Sequence, residues 1–171
     1  MTNFKYLVIN KTYSLLNYLR LGYFKIRYKT YRLKYNIDPS FKFNGIDIEF
    51  YGDGEIIIGK NSYVGNRTAL AAVKGQKIVI SDNCSISHNV RIYTSNRNPM
   101  DVIAGNYEIG LKNGDVIIGE NCWIGANVFI NQGITIGNNV VIGANSVVTK
   151  SFQSNVIIAG CPAKIIKLYE K

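Results

Sequence analysis

From Ile118 onward, apolar positions recur along the chain with a period of six. An aliphatic residue stands at Ile118, Ile124, Ile130, Ile136, Ile142 and Val148. Glycine follows it at Gly119, Gly125, Gly137 and Gly143, and the fifth place holds a second small or apolar residue at Cys122, Val128, Ile134, Val140 and Ser146. The same spacing runs upstream through residues 58–69 and 80–97. Six fits neither the alternation of a strand nor the 3.6-residue turn of a helix. It predicts a mainly β solenoid in which each hexad makes one short strand and a corner, with the aliphatic residue pointing inward. Three hexads per coil would set Ile118 under Ile136. Glycine or asparagine is expected to take the corner dihedrals that other residues tolerate poorly.

The period lapses in two places. Residues 93–114, YTSNRNPMDVIAGNYEIGLKNG, carry Pro99, three glycines and several asparagines, so they are expected to leave the coil as a loop. Insertions of this kind collect on the binding face of a solenoid. Residues 71–77 form a shorter excursion without readable chemistry. Before the hexads, residues 4–37 follow a helical period: Phe4, Val8, Leu15, Leu19, Tyr23, Ile26, Leu33 and Ile37 form one stripe that Thr12 and Thr30 complete. Lys and Arg flank that stripe, where long stems can lie along apolar surface. The other face carries Tyr13, Phe24, Tyr28, Tyr31 and Tyr35, so this arm wants two partners. Packing on the solenoid and on neighbouring subunits is the expectation, with peripheral membrane contact as the alternative. The arm reads as a helix or a helix pair, since Gly22 is expected to weaken a single long helix. At the other end, Pro162 should open a short capping helix within 151–171. The domains are therefore a basic, aromatic arm, 1–40, and a repeat domain, 41–171.

Composition narrows the setting. A hydrophobic fraction of 47% and a charged fraction of 18% are those of a folded domain, and 171 residues suffice for one core. Cys84, Cys122 and Cys161 are odd in number and irregular in spacing, which argues against a disulfide framework or a zinc site and for a reducing compartment. No run of eighteen apolar residues is present, and the start lacks a secretory pattern, so a cytoplasmic setting is expected. Of the net charge of +9, residues 1–40 hold eight Lys and Arg against Asp38 alone. A nucleic-acid reading of the basic balance would have to rest on the arm, and none is expected.

The segments GDVIIGENCWIGANVFINQGITIG and GANSVVTK with VIIAGCPAKIIK resemble the hexapeptide-repeat acyltransferases, and within them the sugar O-acetyltransferases that use acetyl-CoA. The resemblance covers residues 41–171. It implies a left-handed parallel β-helix, acetyl-CoA as donor without a metal, a homotrimer with sites between neighbouring chains, and a 93–114 loop that helps to wall the acceptor pocket.

Acetyl transfer needs a base for the acceptor's proton, a donor for the oxyanion and a slot for pantetheine. Histidine is the natural base near neutral pH, and His88 is the one histidine. In the galactoside and maltose branch, the catalytic histidine falls in a pattern like I-x-T-x-x-H; here IYTSNR puts Arg97 there, and a guanidinium stays charged. The sugar-nucleotide and sialic-acid branch places its histidine inside a hexad, which ISHNVRI matches at His88. The resemblance therefore implies His88 as base, with Ser87, Asn89 and Asp101 as candidate orienters. The alternative is a solvated corner residue. Arg97 would hold an anionic acceptor or be a solvated loop cation. Trp123, outward in its hexad, would line the acceptor and acetyl-CoA groove or form a subunit interface. Lys150, Lys164 and Lys167 resemble the residues that meet CoA phosphates. Cys84 and Cys122 are core positions. Cys161, beside the expected CoA tunnel, could be reactive. The expected function is O-acetylation of a sugar in surface polysaccharide or glycolipid synthesis. The alternatives are N-acetylation of a nucleotide-linked amino sugar and a non-catalytic scaffold.

Overall fold

The hexads make strands two to four residues long, and like positions stack on like. The computed structural model describes residues 2–106 and 110–169. It divides into two compact units between Lys34 and Tyr35.

The second unit is a β-solenoid with three faces. The first face stacks Asn36–Ile37, Glu55–Ile58, Lys77–Ile80, Val116–Ile118 and Thr135–Ile136 in parallel. The second stacks Lys42–Asn44, Tyr63–Gly65, Ser85–Ile86, Trp123–Ile124, Val141–Ile142 and Val156–Ala159. The third stacks Glu49–Tyr51, Ala69–Ala71, Arg91–Tyr93, Phe129–Ile130 and Val147–Val148. Ile118 pairs with Ile136, Ile124 with Ile142 and Ile130 with Val148, so a coil is three hexads. These six residues and the fifth-place Cys122, Val128, Ile134, Val140 and Ser146 are all buried. The core is thus two stacked columns per face, and the Cys84 and Cys122 thiols donate within it to the carbonyls of Gly119 and Gly137.

Asparagine, not the hexad glycine, turns the corners. At the first corner, between the first and second faces, Asn61, Asn83, Asn121, Asn139 and Asn155 have φ between 55° and 63°. At the second corner, between the second and third faces, Asn89, Asn127 and Asn145 do the same. Their side chains bond up the stack, Asn89 to Asn127 to Asn145 and Asn121 to Asn139 to Asn155. The hexad glycines serve closeness instead. A Cβ on Gly125 would stand 2.6 Å from the amide nitrogen of Ala144 in the coil above.

Three expectations change at the edges. The chain's end is a strand, Lys164–Leu168, paired antiparallel with Val156–Ala159, and not a helix. The arm is one unbroken helix, α1 (Thr2–Lys34), and ends before Ile37, which is a buried residue of the first solenoid strand. The side chain of Phe4 lies outside the described residues; Val8, Leu15, Leu19, Tyr23, Ile26 and Leu33 of its stripe are exposed. The 93–114 segment is not wholly irregular. Ser95–Arg97 and Leu111–Asn113 form a hairpin around α2 (Pro99–Ile103), which Asn98 caps.

Gly22 does not divide α1, because a single glycine costs only about 1 kcal/mol against the turns on either side. No atom lies within 4 Å of where its Cβ would stand. Gly22→Ala should therefore stabilise the helix by about 1 kcal/mol, read from the thermal melt by circular dichroism. A loss would show that something closes on that position. No helix among the described residues is long and apolar enough to cross a membrane.

Candidate functional site

In most coils the third place of a hexad holds a side-chain acceptor that takes a backbone N–H of the coil below. Asp82 accepts from Lys60, Asn138 from Glu120 and Ser154 from Asn138 at the first corner. At the second corner Asn66 accepts from Ile46, and His88 Nδ1 accepts from Asn66 at 3.0 Å. Above His88 the third places are Ala126 and Ala144, which offer no acceptor. The N–H groups of His88, Ala126 and Ala144 consequently have no hydrogen-bond partner among the described residues. Three successive coils thus leave a row of open donors along one corner. Such a row suits carbonyl and anionic oxygens, since each coil presents a fixed dipole that needs no reorganisation.

The surroundings of the row come from register. Trp123, 58% exposed, stands three residues before Ala126 on the outward side of the second face. It pairs with Ser85 below and Val141 above, and Val141 pairs with Ile157, which pairs with Lys167. Lys164 pairs with Ala159, whose methyl group is the neighbour a Cβ on Gly143 would meet, at 2.9 Å. Lys164 therefore lies at the upper end of the open row, and Lys167 is farther along the same face. Cys161 is exposed in the turn between these two strands.

The other expected site residues lie elsewhere. Arg97, exposed in the hairpin, and Asp101, in the first turn of α2, follow the third face and so belong to the third corner. Asp101 is engaged there, with Oδ2 accepting from the N–H of Gly110. The hairpin is tied to the next coil by the Asn96 amide, which donates to Asn131 and to Gln132 at 2.9 Å. Lys150 also follows the third face, its Nζ 5.6 Å from the centre of the Phe152 ring. Asn89 is held in the corner ladder, its amide donating to Asn127, while the His88 ring takes its bond from the Asn66 N–H. Ser87 is occupied through its carbonyl, which accepts from the Thr68 hydroxyl. One chain therefore sets His88, Asn89 and Lys164 at the second corner, with Trp123 and Lys167 in one outward column of the second face. It sets Arg97, Asp101 and Lys150 at the third, with the third face between.

The His88 bond bears on its expected role as base. A neutral imidazole has one donor and one acceptor nitrogen. While Nδ1 accepts from Asn66, Nε2 carries the proton and cannot take another. Among the described residues, no group of three or more His, Cys, Asp or Glu could hold a metal ion.

Residues 115–150 match the family described as the hexapeptide repeat of succinyl-transferase. The chain is 38% identical over 117 residues to the galactoside O-acetyltransferase of Escherichia coli, across 68% of this chain and 55% of that one. It is 39% identical over 121 residues to an Escherichia coli polysialic acid O-acetyltransferase, across 71% of this chain and 39% of the other. Among solved structures, a maltose O-acetyltransferase from Clostridium difficile 630 superposes with a TM-score of 0.60 at 37% identity, covering 77% of this chain and 72% of that one. The chain belongs to the hexapeptide-repeat acyltransferases. A galactoside acetyltransferase solved in complex with coenzyme A superposes at 0.67 with 33% identity, over 78% of this chain and 64% of that one. The chain spans less than two thirds of its first curated relatives, 64% of a Saccharomyces cerevisiae relative (43% identical over 130 residues, 74% of this chain) and 46% of a Dictyostelium discoideum one.

Within this acyltransferase fold, sequence reading passed over Ala126 and Ala144, because alanine carries no chemistry of its own. The readable signal was negative. Third places that are polar at Asn66, Asp82, His88, Asn138 and Ser154 turn to alanine at these two coils only on this corner.

Proposed function

We propose that this protein transfers an acetyl group from acetyl-CoA to a sugar hydroxyl, with surface polysaccharides and glycolipids as the acceptor class. The open row at the second corner carries this reading. It offers consecutive N–H donors to the amide and thioester carbonyls of an extended pantetheine, with Lys164 at the row's end for CoA phosphate and Trp123 beside it as an apolar wall. The sugar O-acetyltransferase relatives and the coenzyme A complex of a similar fold support donor and acceptor. In the reaction the acceptor oxygen bonds to the thioester carbon, the C–S bond breaks, and the hydroxyl's proton ends on the CoA sulfur. No acyl-enzyme is formed.

The active unit is a homotrimer in this reading. The second corner of one chain meets the third corner of a neighbour, which brings Arg97, Asp101 and Lys150 to His88, Trp123 and Lys164. Arg97 would then face an anionic acceptor group.

Acetyl-CoA at about 100 times its Kd should stabilise the protein by about 2.7 kcal/mol through mass action, seen as a raised Tm. Lys164→Glu and Lys167→Glu should diminish the shift by repelling phosphate. Lys150→Glu should do so as well if a neighbouring chain completes the site. An unchanged shift in Lys150→Glu would confine the site to one chain. No shift in the wild type would leave a scaffold in place of an enzyme. A transfer screen over sugars, nucleotide sugars and oligosaccharides identifies the acceptor.

A further inference from the structure

We propose that His88 acts in acetyl transfer as a fixed hydrogen-bond donor through Nε2–H, alongside the open N–H groups of the second corner, and not as the base. This rests on the acetyltransferase reading above.

Three observations fix the ring. Nδ1 accepts from the Asn66 N–H at 3.0 Å, which leaves the proton on Nε2. The ring lies close against the coil because Gly65 has no side chain; a Cβ there would stand 2.5 Å from Nδ1. His88 also occupies a rung that carboxamides fill elsewhere, Asn66 above Ile46 and Asn138 above Glu120, each accepting one N–H of the coil beneath. The imidazole is therefore an acceptor toward the protein through Nδ1, and its remaining donor, Nε2–H, belongs to an exposed side chain.

Such a group answers the charge that develops on the acyl oxygen as the acceptor's C–O bond forms. It joins the N–H groups of His88, Ala126 and Ala144, the row of open donors along this corner. It takes no proton. The proton lost by the acceptor passes through solvent to the thiolate that leaves when the C–S bond breaks. An asparagine in the same place would keep both functions, its oxygen accepting from Asn66 and its amide donating outward, whereas no amide can replace a base.

Because His88 is the one histidine, its ring nitrogens give a single pair of signals in a long-range ¹H–¹⁵N correlation of the ¹⁵N-labelled full chain. The expected pattern near pH 8 is a protonated Nε2 and an unprotonated Nδ1; the opposite tautomer overturns the inference regardless of activity. In Gly65→Ala the Nδ1 signal should move as the ring is displaced, and an unmoved signal would overturn the contact that fixes it. In kinetics, His88→Asn should keep transfer within about tenfold of wild type with the same pH–rate shape. His88→Ala should lose about a hundredfold, the usual effect of one oxyanion donor. His88→Asn as inactive as His88→Ala, with unchanged acetyl-CoA binding, restores the base reading. A wild type that neither binds acetyl-CoA nor transfers overturns the enzymatic reading and the role given to His88 with it, whatever tautomer is found.

Discussion

Asparagine at position 126 or 144 should abolish acetyl-CoA binding while leaving the solenoid at least as stable as before. Both alanines stand on rungs where other coils place an acceptor, as Asn138 does for the N–H of Glu120 at 2.9 Å. Ala126→Asn would put a carboxamide over the N–H of His88, and Ala144→Asn over that of Ala126. Each new bond within the protein is worth about 0.5–1.5 kcal/mol. For a chain of this size that raises the Tm by about 1–6 °C. The same bond takes away a donor that the thioester or a pantetheine amide would use, and it fills the space over the row. Transfer should fall by about a hundredfold or more, the effect of losing one preorganised donor to a developing oxyanion. The thermal shift with acetyl-CoA should vanish with it. Opposite signs for stability and activity are the signature of a site made by omitting a structural bond. A variant that melts higher and still shows the full acetyl-CoA shift would show that pantetheine lies along another corner.

The repeat was legible in the sequence because an inward position in a narrow solenoid tolerates no exception. Every hexad from Ile118 to Val148 obeys the pattern, and the described structure buries each of its aliphatic residues. The corner stayed open between glycine and asparagine in the sequence because both permit positive φ. Only the structure shows that Asn121 and Asn139 use it, while Gly119 and Gly137 stay glycine because the next coil lies too near for a Cβ. The final segment was not legible for a related reason. Lys164–Leu168 closes the stack, so nothing above it demands an inward column, all five residues are exposed, and no alternation marks it as a strand. Pro162 gave a helix-start signal that the antiparallel pairing overrode.

The site was only half legible. Sequence pointed to the side chains His88, Trp123 and the three lysines, yet it could not tell which coil lies under which face of the imidazole. That the Asn66 N–H meets Nδ1 depends on stacking across 22 residues, and it decides which nitrogen is free. Arg97 and His88 each answer to a histidine position of a different branch, Arg97 after the hexads lapse and His88 inside a hexad, and the sequence alone does not set them apart in space. In the fold they stand at different corners, separated by the strand Arg91–Tyr93.

Ile124→Ala should destabilise the protein by about 2–5 kcal/mol, and lower its Tm by about 4–20 °C. Ile124 is 0% exposed and lies in the column Val64, Ile86, Ile124, Ile142 and Ile158, with paired strands both above and below. Removing three carbons there costs their transfer free energy and leaves a cavity between two stacked isoleucines. These cannot move inward, because the hydrogen-bond ladder fixes the spacing of their strands. Ile124→Val should cost about 0.5–1.5 kcal/mol by the same argument. Ile157→Ala, on the outward side of the same face and 38% exposed, should stay within about 0.5 kcal/mol of wild type. Urea denaturation of the three variants checks the series. Because each coil touches only its neighbours, the damage should concentrate in the coils on either side of Ile124, with faster amide exchange there than at Ile37 or Ile58. A loss below about 1 kcal/mol for Ile124→Ala would mean that the neighbouring isoleucines close the gap. The column would then be a set of separate contacts and not a continuous core.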